Sequence, residues 1–291
     1  MNKSLLIAYL RLLRITAVFT AMSNILAAHF IATQGQFAWG LLFQLLAISS
    51  LLYSAGMVLN DCFDLELDRR ERPARPLPSG AIPIHHAWWL GWLLLGLALL
   101  IAIWSGTTVF ALTSLLAVLI IAYNAYFKNT LFASLNMAAC RYFNWILGLS
   151  VSELSINAYL LPLPVLIYIY ALTRVSQIET RADSKRPLII CMVGMGLVVG
   201  LTVAFYFLSV YTNPWMLVFL LAAFTVVINK ILKVYHHLDS PSVQNLVRFL
   251  IFGIIPLDAL LVYANGPWWG ALLILLLFLP GRFFGRMISV T

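Results

Sequence analysis

The sequence predicts an all-α integral membrane protein, and three observations carry that expectation. The 291-residue chain is 63% hydrophobic and only 10% charged. Its mean hydropathy is +0.96, and apolar runs of about 20 residues, each enough to cross a hydrocarbon core of roughly 30 Å, recur along its length. The loops between these runs alternate between basic and free of Lys and Arg. A soluble helical bundle of this size would need polar faces at helical spacing; those faces are missing.

Taken in order, "MNKSLLIAYLRLLRIT" carries Lys3, Arg11 and Arg14 inside its apolar run rather than ahead of it. It therefore reads as an interface-lying helix leading into the first span, not a signal peptide. Candidate spans follow at about 15–33, 38–59, 87–105, 108–127, 132–151, 158–178, 188–210, 214–232 and 246–264, with a shorter run at about 267–280. The loops "TQGQ", "SGTT", "SELSIN", "YTNP" and "ANGP" hold no Lys or Arg. The N-terminus, the alternate loops and the tail after Pro280 hold the basic residues, apart from Arg141, Arg174 and Arg248 inside spans. The positive-inside rule then puts the N-terminus, the basic loops and the tail in the cytoplasm, so the short last run is expected to cross. The expected location is the cytoplasmic membrane, of bacterial type. The net charge of +8 is a topology signal and implies no nucleic-acid partner. Three scattered cysteines give neither a disulfide framework nor a metal spacing. Nothing interrupts the pattern, so residues 1–291 are expected to form one transmembrane domain.

Acidic residues are concentrated. "NDCFDLELDRRERPARPLPSG", residues 60–80, holds five of the chain's ten acids and four arginines. Asp61, Asp64 and Asp68, spaced i, i+3 and i+7, share a helical face about 60° wide, with Asn60 beside it. Carboxylates held together with a carboxamide are the hard oxygen donors Mg²⁺ takes, usually shared with substrate phosphates. Arg72 and Arg75 follow and suit phosphate oxygens. A second acid-then-base stretch, "ALTRVSQIETRADSKRP", ends the sixth span. There Glu179 and Asp183 stand i, i+4, followed by Lys185 and Arg186. Both stretches emerge on the same side, and two such clusters can clamp a metal–diphosphate complex. A solvated loop of mixed charge, or a plain i,i+4 ion pair, is the competing reading.

"NDCFDLELD" followed by "RPLPSG" resembles the first signature of the UbiA superfamily of intramembrane prenyltransferases. The resemblance extends over about residues 10–264 to the span number, to "YNAYFK" and to the second acidic motif; the run at about 267–280 lies beyond it. "RERPARPLPSG" and "CRYFNWILG" are similar to the EboC-type branch. The resemblance implies a nine-helix bundle around a cavity open to lipid. It also implies Mg²⁺-dependent transfer of a prenyl group from a prenyl diphosphate to a lipophilic or aromatic acceptor within the membrane, whose identity the sequence does not reveal. Asn60, Asp61, Asp64 and Asp68 map onto the first metal motif. Glu179 and Asp183 map onto the second, with glutamate for the family's first aspartate. Lys128 resembles the lysine that meets the diphosphate. Arg72, Arg75, Lys185 and Arg186 are expected to stabilise its charge.

Inside the spans, Arg141 with Asn144 below it is expected to contact diphosphate or acceptor, or to pair with a buried acid, since intramembrane charge points to function. Asp258 could orient an acceptor, act as a base or pair with a buried basic residue. Arg174 could simply reach the interface. Tyr123, Tyr168 and Tyr170 are candidate cation-stabilising faces among 30 Phe and Tyr rings, most of which must pack. A transporter or scaffold, or a lipid diphosphate phosphatase, could use the same cavity. Acids at one membrane edge rather than at midplane count against transport.

Overall fold

The computed structural model describes residues 3–128 and 130–289, and helices are the only regular secondary structure among them. In chain order they are α1 (Lys3–Leu12), α2 (Ile15–Thr33), α3 (Trp39–Phe63), α4 (Leu65–Glu71), α5 (Ile84–Ser105), α6 (Thr107–Ala122), α7 (Ala133–Leu149) and α8 (Ile156–Leu160). There follow α9 (Leu163–Ser176), α10 (Arg186–Phe207), α11 (Met216–His236), α12 (Ser240–Phe252), α13 (Ile254–Asn265), α14 (Trp268–Leu275) and α15 (Phe278–Ser289).

Nine helical segments among the described residues are long and apolar enough to cross a membrane. Several are composite: α8 and α9 join at Pro162, and α12 and α13 join at Gly253. Helix α7 is shorter, at 17 residues, and sits inside the bundle against α2, α6 and α9. Large apolar side chains such as Trp104, Leu197 and Phe219 face outward. In water such a surface would be a liability; facing lipid it is the expected outer layer. This is the architecture of a multi-pass integral membrane protein.

Two cores meet along a seam. One joins α3, α5 and α6 through Leu45, Ile48, Leu95 and Leu116; the other joins α7, α9, α10, α12 and α13 through Trp145, Val165, Leu188, Leu246 and Ile255. Helices α2 and α7 contribute to both, through Ile25, Ala27 and Ala28 and through Trp145 and Leu147. Their approach is close because Gly148 has no side chain: a Cβ there would lie 2.6 Å from Ala28 Cβ and 3.0 Å from Ile25 Cα.

The last hydrophobic run, Trp268–Gly285, is long and apolar enough to cross a membrane. Trp269 packs edge-on against Phe30 near one end of α2, with ring centroids 5.4 Å apart. Phe284 stacks on Phe19 near the other end at 6.0 Å. Helices α14 and α15 thus run antiparallel to α2 from end to end. Helix α1 packs under the loop after α4, burying Ala8 and Leu12 with Val58 and Ile82. It joins α2 at Arg14, whose backbone is left-handed (φ 48, ψ 45), an uncommon state for a residue with a Cβ.

Candidate active site

A cavity of about 860 Å³ opens where α3, α6, α9 and α12 converge. Its mouth is lined by Arg14, Asn60, Asp64, Asp68, Arg72, Lys128, Arg174 and Glu179, and its interior by Leu52, Met57, Leu116, Met137, Ile169 and Ile251. One compartment thus joins a charged rim to an apolar pouch.

Helix α3 ends at Phe63, and the backbone N–H groups of Asp64 and Asp68 still donate to the carbonyls of Asn60 and Asp64, at 3.0 and 2.8 Å. Helical register therefore passes through the junction into α4 and keeps the three aspartates near one another. They do not form one shared ligand set. Asp61 is 4% exposed, lies behind the cavity wall, and is bridged by Arg14 and Arg75, each at 3.3 Å. Asp68 takes a 2.6 Å bond from Arg75, and Asp64 is paired with Lys128. Among the described residues no three acidic, histidine or cysteine side chains converge as a metal group. The reason is charge: crowded carboxylates repel, and each takes the cation within reach. Burial, reinforced by Arg14 and opposed by Asp61, pulls the Lys128 ammonium down to about 8.

Lys128 and Asn124 are presented by a local distortion. Residues Tyr123–Phe127 form a π-helical turn closed by Lys128 N–H to Tyr123 O at 3.0 Å. Such turns concentrate at functional sites. Here the turn aims Asn124 Oδ1 at Asn60 Nδ2, 3.1 Å away.

The second stretch faces the first, reciprocally. Arg72 pairs with Glu179, and Arg181 of the second stretch reaches Glu71 of the first at 3.3 Å. The expected i,i+4 face of Glu179 and Asp183 is absent, however. Helix α9 stops at Ser176, and residues 177–185 are turn and coil, with Ala182 left-handed at φ 46. Asp183 is therefore exposed and outside the cavity wall. Lys185 instead sits 4.8 Å over the Tyr235 ring, and Arg186 begins α10 in an exposed position away from the cavity. Arg75 holds Asp61 and Asp68 rather than lining the cavity.

Deeper in, Arg141 and Asn144 line the cavity with Ser49 and Tyr53. Asn144 is occupied by the helix seam: its amide donates to Ala21 O at 3.0 Å and accepts from Ser49 Oγ at 2.7 Å. Tyr123 lines the wall, whereas Tyr168 is buried, with its hydroxyl on Leu250 O at 2.8 Å, and is a packing residue. Asp258 is fully buried behind the wall and bonded to α2 and α7, which excludes direct contact with a molecule in the cavity. Two cavity cations were not singled out as site residues from sequence. Arg14 looked like an interfacial residue, and only its left-handed backbone reveals its direction. Arg174 lines the cavity with Nε buried and unpartnered among the described groups; its place within an apolar span was the available signal.

A model of the UbiA prenyltransferase family matches residues 21–193, more than half of the chain. Among curated proteins, the digeranylgeranylglyceryl phosphate synthase of Sulfolobus acidocaldarius is 31% identical over 186 residues, covering 62% of this chain and 66% of that protein. The synthase of Methanoregula boonei is 37% identical over 109 residues, covering 37% of this chain and 38% of that one. The chain thus spans just under two thirds of the first relative and little more than a third of the second. Among solved structures, a digeranylgeranylglyceryl phosphate synthase in membranes superposes with a TM-score of 0.68 at 20% identity, covering 91% of this chain and 99% of that one. A UbiA homologue from Archaeoglobus fulgidus bound to GPP and Mg²⁺ gives 0.64 at 16% identity, covering 85% and 99%. At these identities the superpositions speak for the fold, and the sequence match speaks for the family. The chain belongs to the UbiA prenyltransferase family.

Proposed function

We propose that the protein transfers a prenyl group from a prenyl diphosphate to a lipophilic acceptor within the membrane. The observation that carries this reading is the single cavity with a charged rim and an apolar interior, which matches an amphiphile with a diphosphate head. Arg72, Lys128 and Arg174 donate to the diphosphate oxygens and stabilise the charge that builds on them as the carbon–oxygen bond breaks. The apolar pouch holds the prenyl tail and keeps water from the allylic cation. The leaving diphosphate takes the electron pair of the broken bond. The acceptor's nucleophilic atom forms the new bond and gives up its proton to the departed diphosphate.

The donor chemistry of the rim fits Mg²⁺: Asn60, Asp64, Asp68 and Glu179 present hard oxygens to one cavity. Those four residues would hold it, and it would neutralise the diphosphate and improve it as a leaving group. Asp61 supports the rim from behind by fixing Arg14 and Arg75. The basic loops support a rim at the cytoplasmic face. The relatives are named for a glyceryl phosphate product bearing two prenyl groups. A singly prenylated glyceryl phosphate is therefore the first acceptor to try, and Arg141 suits its anionic head.

The test is product analysis. Purified protein in lipid nanodiscs is given labelled geranylgeranyl diphosphate, with or without Mg²⁺, and either host lipid extract or the glyceryl phosphate lipid. Label appearing in a new lipid, only with Mg²⁺, supports transfer. Prenyl monophosphate and inorganic phosphate as the sole products would replace this reading with a phosphatase.

A further inference from the structure

Arg141 is held in an unusual way for a charge inside a membrane. It lies eight residues into α7, about 12 Å along the helix at 1.5 Å per residue. Its guanidinium makes no ion pair among the described residues. One amino group donates to Asn24 Oδ1 at 3.2 Å and the other to Thr20 Oγ1 at 2.9 Å. Its flat face lies 5.1 Å from the centre of the Tyr53 ring. A guanidinium has five N–H donors, so donors remain for the cavity that Arg141 lines.

The nearby acid is Asp258, fully buried on α13. It accepts from Asn24 Nδ2 at 2.8 Å, Ser23 Oγ at 2.5 Å and Trp145 Nε1 at 2.9 Å. A buried carboxylate is costly unless its charge and lone pairs are answered. Here the hydrogen bonds are direct, but the opposite charge sits one residue away. Asn24 stands between the two, and its orientation is dictated. A carboxylate only accepts and a guanidinium only donates, so the amide N–H must face Asp258 and the carbonyl must face Arg141.

We propose that Asp258 is a positioning residue that acts through Asn24 to fix the Arg141 guanidinium at the inner end of the cavity, where it orients the acceptor. A direct Asp–Arg pair would use up the donor edge that faces the cavity. With the amide between them, the two charges still attract across one residue while that edge stays free. The relay also spans three helices, α2, α7 and α13, so it sets Arg141 relative to the bundle rather than to α7 alone. This rests on the prenyl-transfer reading above.

The test separates the two ends of the cavity, using nanodiscs matched for folded protein. The rim is read as thermal stabilisation by geranyl diphosphate with Mg²⁺. The inner end is read as the amount of host lipid extract that half-saturates transfer of a labelled geranylgeranyl group. Asp258→Asn is expected to raise the half-saturating extract at least tenfold while rim stabilisation stays within twofold of wild type. In an Arg141→Gln background the same change should add less than twofold. Asn24→Ser breaks the relay with Asp258 intact; it should reproduce the phenotype and serves if Asp258→Asn does not fold. Equal losses at rim and inner end, or an Asp258 effect that persists without Arg141, would overturn the relay. A wild-type protein stabilised by the ligand but transferring nothing would overturn the prenyl-transfer reading instead, and the relay's stated role with it.

Discussion

Gly148 offers a sharp perturbation because it lies where the α2–α7 seam is tightest and seven residues beyond Arg141, on the same face of α7. In Gly148→Ala the added Cβ would meet Ala28 Cβ at 2.6 Å and the Ile25 Cα and carbonyl oxygen at 3.0 Å. Comfortable carbon contacts are about 3.5–4.0 Å, so the helices must part by about 1 Å. Two of the three obstructing atoms are backbone, and no rotamer change relieves them. Overpacking of this kind costs about 1–3 kcal/mol. The displacement also acts on the relay, since Arg141 and Asn24 lie on opposite sides of the seam at 3.2 Å. A 1 Å misplacement of an orienting group can cost about 100-fold in rate. The assay is equilibrium unfolding in mixed micelles titrated with SDS, alongside prenyl transfer. Gly196→Ala is the control, since a Cβ there meets nothing within 4 Å. Gly148→Ala should lose about 1–3 kcal/mol and at least about tenfold in transfer, with the control unchanged. Wild-type stability and activity in Gly148→Ala would refute the close seam and its link to Arg141.

Glu179→Gln should lower kcat at least about tenfold, roughly 1.4 kcal/mol of transition-state stabilisation, while Glu179→Asp keeps more activity than Gln. Steady-state kinetics on matched membranes check both. Asp183→Asn should stay within about twofold of wild type, because an exposed charge outside the cavity is screened by solvent; a tenfold loss would put Asp183 back among the ligands. Reporters fused at Gly106, Asn213 and Asn265 should read as outside, and those at Gly80 and the C-terminus as inside. An outside C-terminus would contradict the antiparallel run of α14 and α15 along α2.

The spans were legible because length and apolarity are summed over many residues, and the charge of each loop tests its neighbours. Their internal breaks were not, since Pro162 and Gly253 are single residues inside strongly apolar runs. The register of Asp61, Asp64 and Asp68 was readable as spacing, but which of them turns inward depends on Arg14 and Arg75. The helical face assigned to Glu179 and Asp183 failed because α9 stops at Ser176, and the chain then turns through Ala182 at φ 46, a state alanine does not intrinsically prefer. The π-turn that presents Lys128 left no pattern in "YNAYFK" beyond the motif itself. Asp258 was visible as an intramembrane charge. Its tie to Asn24, 234 positions away in the chain, exists only in the folded bundle.

The central claim is that the charged rim works on a prenyl diphosphate through its carboxylates, and Asp64 tests it most directly. Asp64 lines the cavity and is paired with Lys128, and Asp64→Asn keeps its shape while removing its charge. Removing one partner of a part-buried charge pair costs several kcal/mol when the rest must hold a diphosphate. Mg²⁺-dependent transfer of a labelled geranylgeranyl group, on membranes matched for folded protein, should fall by about 100-fold or more. Transfer within twofold of wild type, with the same half-saturating Mg²⁺, would contradict the account.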